Sequence, residues 1–161
     1  MPDRSNQRIA FASDHAAVAL RRSLGHVVEA AGHTAVDLGA LEGERVDDPD
    51  YAAAVCRAVL DGEADLGVLV CGTGIGMSIA ANKFAGIRAA LVHDETTARL
   101  AAQHNDANVL CLGGRVLGPV VAEACLMAWL TTPFEARHGA RLAKVAALQG
   151  QPGSPPASAR G

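Results

Sequence analysis

The run from Leu66 to Lys83 (LGVLVCGTGIGMSIAANK) narrows the fold more than any other feature of this chain. Leu66 to Val70 is a short, unbroken apolar stretch, the pattern of a strand covered on both faces. Cys71 follows, then glycines at 72, 74 and 76, then a segment of helical character. Strand, glycine turn and helix in that order belong to parallel α/β architecture. Glycines let the backbone fold back and aim several N–H groups at one anionic ligand, and the helix adds its unpaired N–H groups. A cysteine in that field is favoured as thiolate, its reactive form. The stretch therefore sets a potential base beside a cradle for negative charge.

The remainder of the chain alternates in the same way. Residues 8–13, 34–38, 66–70, 86–91 and 107–112 read as strands. Between the first two, Ala17, Leu20, Leu24, Val27, Val28 and Ala31 recur at three- and four-residue steps, an amphipathic helix with Asp14 as its expected N-cap and Gly32 as its stop. Asp48-Pro49 opens a second helix that closes at Asp61-Gly62, Asp94 caps another, and Gly118-Pro119 begins one that ends at Thr131-Thr132-Pro133. Residues 135–149 read as a final helix, with Arg137, Arg141 and Lys144 on one face and Leu142, Val145 and Leu148 on another. The expectation is a doubly wound, Rossmann-like five-stranded parallel sheet flanked by helices, with an extra C-terminal helix. Residues 1–150 form one domain on this reading. Residues 151–161, rich in proline, glycine and serine, are expected to be a disordered tail. Ligands of such sheets sit at the carboxyl ends of the strands. Asp14-His15, the glycine loop, His93-Asp94 and Gly113-Gly114-Arg115 all fall there.

Several function classes drop out. A net charge of −3 carries no sign of general nucleic-acid binding. No apolar run is long enough to span a membrane, and the polar N-terminus lacks a signal-peptide core. Four scattered cysteines without a CxxC pair fit reduced thiols in the cytoplasm better than a zinc knuckle. The glycine loop ends in Gly76-Met77-Ser78, not the Gly-Lys-Ser/Thr of a Walker loop, and no glycine register completes the dinucleotide fingerprint. A flavodoxin-like nucleotide binder is thus disfavoured.

Six motifs in order carry a resemblance: SDH at 13–15, ERVDDPDYA at 44–52, CGTGIGMSIAANKFAGIRA at 71–89, QHNDANVL at 103–110, GGRVLG at 113–118 and RHGAR at 137–141. The chain resembles the type B ribose-5-phosphate isomerase family, which includes the galactose-6-phosphate isomerase subunits, over residues 8–148. The resemblance implies an aldose–ketose isomerase for a phosphorylated sugar, working without metal or cofactor as a homodimer or a dimer of dimers, with the site at the subunit interface. It implies Cys71 as the base and His104 as the group that opens the sugar ring. The glycine-loop backbone, Gly72, Gly74, Ile75 and Gly76, with Thr73, would hold the enediolate oxygens. Asp14 and Asn105 would bind sugar hydroxyls. His15, Arg115, Arg137 and Arg141 would bind phosphate, the last two reaching in from the partner subunit. Each has a plainer reading: Cys71 as a small buried apolar group, Thr73 and Asp14 as caps, Asn105 as a helix end, the arginine pair as a solvated face. Some relatives place a glutamate where this chain has Met77, so this is the cysteine type. Many have Asp-Tyr-Pro where it has Asp47-Asp48-Pro49, which leaves the sugar open: ribose 5-phosphate leads, with four- and six-carbon sugar phosphates (tetrose 4-phosphate, allose 6-phosphate, galactose 6-phosphate) as alternatives. A non-catalytic sugar-phosphate-binding module is the alternative of another class.

Overall fold

The computed structural model describes residues 6–149; the expected tail lies outside them. The elements run β1 (Arg8–Ser13), α1 (Val18–Ala30), β2 (Thr34–Asp37), α2 (Asp48–Leu60), β3 (Leu66–Cys71), α3 (Ile75–Ala81), β4 (Ala89–Leu91), α4 (Glu95–Asn105), β5 (Val109–Gly113), α5 (Pro119–Thr131), a 3-10 turn (Ala136–His138) and α6 (Gly139–Ala147). All strand pairs are parallel, in the order β2-β1-β3-β5-β4. Every residue of β3 and β5 is buried, which is why their sequences are continuously apolar.

The period-two alternation of a strand sorts those residues between two cores. Val68, Val70, Leu110 and Leu112 face α1, α4 and α5, packing with Leu24, Val28, Leu126 and Trp129. Leu69, Cys71, Val109 and Cys111 face the other way, against Val55 and Cys56 of α2 and Met77 and Ala81 of α3. That alternation turns the Cys71 side chain under the glycine loop. Trp129 is fully buried and its indole N–H donates to the Ala107 carbonyl at 3.0 Å. Trp129→Ala is expected to lower stability by about 3–5 kcal/mol, read as a shift in the denaturant midpoint.

Several boundaries differ from the sequence expectation, each for a local reason. Asp14 does not cap α1, whose cap position is Ala17. Its Oδ1 instead accepts the Ala16 N–H at 2.9 Å, closing a tight turn that precedes the helix. Asp47, not Asp48, precedes α2, and Pro49 sits within its first turn. β4 is only three residues long, because side-chain amides replace its ladder: Asn108 accepts the Arg88 N–H and Asn82 accepts the Ala89 N–H. The final helix is interrupted, with Arg137 on the 3-10 turn and Arg141 on α6. Two expected stops hold. Gly32, at φ +89°, bonds back to Glu29 while His33 bonds to Val28, the paired closure of a Schellman motif. Asp94 caps α4 by accepting the Thr97 N–H at 2.8 Å.

Because α1 and α2 cross opposite faces, the strand order reverses between β1 and β3. In sheets of this kind the crevice outside the carboxyl ends of the strands at such a reversal is the usual ligand position.

Candidate active site

Backbone hydrogen bonds gather the loops around that crevice. The Asp14 N–H donates to the Val70 carbonyl at 3.2 Å, tying the exit of β1 to the end of β3. The N–H groups of Gly114 and Arg115 donate to the carbonyls of Cys71 and Gly72 at 2.7 and 2.9 Å, tying the exit of β5 to the glycine loop. Asp14, His15, Cys71 to Gly76 and Arg115 thus share one end of the sheet. His15, Thr73 and Arg115 are exposed, Asp14 is half-buried and Cys71 is buried. The Arg115 side chain lies over Gly72.

Cys71 occupies a different setting from the other thiols. Its sulfur accepts the Gly74 N–H at 3.1 Å. Burial pushes the Cys56 thiol up to about 11 and raises Cys111 and Cys125 as well, so those three are packing groups. Gly74 stands at φ +77° as the cap residue of α3, and a Cβ there would fall 2.9 Å from the Leu112 carbonyl carbon. A Cβ on Gly113 would meet the Thr73 carbonyl oxygen at 2.7 Å. The loop and the end of β5 are therefore pressed backbone to backbone. The Thr73 hydroxyl accepts the Ile75 N–H at 3.2 Å, the plainer capping role open to it in the sequence. The Asp48 carboxylate packs against Gly76, in space that only glycine leaves.

His104, Asn105, Arg137 and Arg141 are not in this group. Helix α4 starts at the carboxyl end of the sheet and runs back, so its last residues arrive at the opposite end. The Asn105 carbonyl there accepts from Arg88, the residue just before β4. Eleven helical residues span about 16 Å, so His104 and Cys71 of one chain stand at opposite ends of the sheet. The Glu135 N–H donates to the Gln103 carbonyl at 2.9 Å, which brings the 3-10 turn onto the end of α4. The His104 and His138 rings lie 4.4 Å apart between centroids. Arg137 and Arg141 are exposed beside them.

A family profile, Ribose/Galactose Isomerase, matches residues 9–145. This chain belongs to that family. Ribose-5-phosphate isomerase B of Escherichia coli is 45% identical over 145 residues, 89% of this chain and 97% of the relative. D-erythrulose-4-phosphate isomerase of Pectobacterium atrosepticum is 42% identical over 128 residues, 79% of this chain and 84% of the relative. The type B ribose 5-phosphate isomerase structure of Trypanosoma brucei superposes with a TM-score of 0.86 at 49% identity, covering 89% of this chain and 99% of that one.

Two features of this family member were not singled out from its sequence. Arg21 is buried, donating to the Ser13 hydroxyl and the Ala40 carbonyl at 2.8 Å each, with Asp37 as its ion partner at 3.1 Å. It braces the ends of β1 and β2 behind the crevice. Its position one step after Ala17 and one before Leu24 on the apolar stripe is the signal that could have found it. The second feature is Glu135 with His138. Arg137 and Gln103 hydrogen-bond the Glu135 carboxylate and hold it below the usual carboxylate range. His104, Glu135 and His138 each offer a donor atom, and these atoms lie within 4.8 Å of one another.

Proposed function

We propose that this chain is an aldose–ketose isomerase interconverting D-ribose 5-phosphate and D-ribulose 5-phosphate, in a site built from both chains of a homodimer. The observation that carries the reading is the Cys71 sulfur accepting the Gly74 N–H inside the glycine loop at the strand-order reversal. The identity to ribose-5-phosphate isomerase B of Escherichia coli supports the substrate.

The chemistry follows from the two residue groups. One chain contributes the crevice set, and the opposite end of its partner contributes His104, Asn105, Arg137 and Arg141. His104 gives a proton to the ring oxygen and takes one from the C1 hydroxyl, which opens the sugar. Cys71, as thiolate, takes the proton from C2, and the electrons move onto the C1 oxygen to give the enediolate. Backbone N–H groups of residues 72–76 stabilise that charge where it develops. The C2 hydroxyl proton then passes to the C1 oxygen, the charge moves to the C2 oxygen, and return of the proton from the Cys71 thiol to C1 yields the ketose. Asp14 and Asn105 hold hydroxyls, and His15, Arg115 and the two partner arginines hold the phosphate, arginine's planar fork matching its oxygens.

The separation of His104 from Cys71 within a chain supports the shared site, since an isomerase of this type needs both groups at one sugar. Exposed apolar residues beside the crevice support an interface there: Ile75 and Ile79 on α3 and Val116 after β5 are each more than half exposed. Among the described residues no helix is long and apolar enough to cross a membrane. The four free cysteines support work in the reducing cytoplasm.

A second reading keeps the mechanism and shortens the sugar, favoured by the identity to D-erythrulose-4-phosphate isomerase and by Asp48 against the loop. The test is conversion of four-, five- and six-carbon aldose phosphates, with EDTA present and no cofactor added. Fastest conversion of ribose 5-phosphate is expected. Preference for another chain length would change the substrate and keep the chemistry. No turnover on any of them would overturn the proposal.

A further inference from the structure

His138 holds a feature that the proposed isomerisation does not use. It is buried, and its Nε2 has no hydrogen-bond partner. That nitrogen faces Glu135 Oε2 at 3.5 Å, and the ring lies against His104. An imidazole nitrogen so placed is a metal ligand through its lone pair. An orphaned buried nitrogen costs stability unless something occupies it.

We propose that His104, Glu135 and His138 form a binding site for a divalent transition metal of the zinc class, and that its occupation inhibits the enzyme. Two imidazoles and one carboxylate, with a fourth position left to water, are a ligand set that zinc accepts in tetrahedral geometry. The three come from two segments that the Glu135–Gln103 bonds already hold together, so little ordering remains to be done. Each Glu135 oxygen gives one lone pair to Gln103 or Arg137 and keeps a second. The cationic neighbours Arg137 and Arg141 weaken any cation here. They weaken hard ions that depend on charge more than borderline metals that bond to imidazole nitrogen, so magnesium and calcium are excluded and zinc, nickel and copper(II) are favoured. The inhibitory half of the proposal rests on the ring-opening role given to His104 above. A metal on its imidazole takes the lone pair needed for proton transfer.

Calorimetric titration of zinc into the full-length protein tests the site without turnover, and cobalt absorption between the variants reports its geometry. The variants are Cys71→Ser, Glu135→Gln and His138→Gln. Wild type and Cys71→Ser are expected to bind one zinc per chain with a tetrahedral cobalt spectrum, and Glu135→Gln and His138→Gln to weaken it about 100-fold. Conversion of closed-ring sugar phosphate by wild type should fall about tenfold or more at saturating zinc and return with EDTA. Binding that survives both Glu135→Gln and His138→Gln, or that disappears in Cys71→Ser, would overturn the site. Binding at the site with undiminished turnover would overturn the inhibition. A protein that turns over no sugar but binds zinc as described would sink the isomerase reading and leave the site standing.

Discussion

Cys71→Ala is expected to reduce turnover of the preferred aldose phosphate at least about 10³-fold, while leaving substrate binding and the melting temperature nearly unchanged. The thiol is the one proton-accepting side chain within the glycine loop, where Met77 supplies none. Alanine keeps the buried volume close to that of cysteine and removes the group proposed to carry the C2 proton. A loss confined to kcat follows, because none of the phosphate and hydroxyl contacts proposed above involves the sulfur. Exchange of the C2 hydrogen with solvent deuterium should vanish with turnover. Residual activity within about tenfold of wild type would remove Cys71 from the mechanism and return it to the packing role that Cys56 and Cys111 fill.

Gly74→Ala is expected to cost less activity than Cys71→Ala, and for a different reason. At φ +77° an alanine pays roughly 1–2 kcal/mol of backbone strain. Its Cβ would also press on the Leu112 backbone at 2.9 Å, and backbone cannot swing aside as the Leu91 side chain can. The loop must shift, and the Gly74 N–H moves off the Cys71 sulfur. We expect kcat/KM to fall about 10²-fold or more with a modest drop in melting temperature, since displacements near 1 Å at a reacting group carry that cost. Steady-state kinetics beside thermal unfolding separate the two effects. An active, unshifted variant would show that the positive φ serves packing alone.

Much of this fold is legible in the chain because its signals are local. The alternation of apolar runs with helical periodicity gives the parallel sheet, and Gly32, Asp94 and Gly118-Pro119 mark ends where the structure puts them. Strand order is another matter. β5 lies between β3 and β4, and no local pattern states which neighbour a strand takes. The nearest signal is that Ala89–Leu91 is short and only half-buried, as an edge strand is, whereas β5 is apolar throughout. The shortening of β4 depends on the amides of Asn82 and Asn108, contacts made across 7 and 20 residues of chain. Arg21 hides for a similar reason: its partners Ser13, Asp37 and Ala40 are assembled only once β1 and β2 pair.

The candidate site divides along the same line. The glycine loop, Asp14-His15 and Arg115 are placed by short strand-to-helix turns, and their convergence follows from the parallel sheet alone. His104 and the two arginines are placed by the length and direction of α4 and by the turn that packs on its end. Motif order in the chain says nothing of that distance. The structure turns a single set of site residues into two sets, one at each end of the sheet, and a symmetric pair of chains then has two complete sites or none.

A hybrid dimer tests this most directly. Cys71→Ala and His104→Ala chains carrying different tags would be co-expressed, and the hybrid isolated by both tags in sequence. If Cys71 of one chain works with His104 of the other, one site of the hybrid holds both mutations and the other holds neither. The hybrid should then regain about half the wild-type turnover, from two parents that are each inactive. A hybrid as inactive as its parents would mean that each site draws both residues from one chain, and the shared site would be wrong.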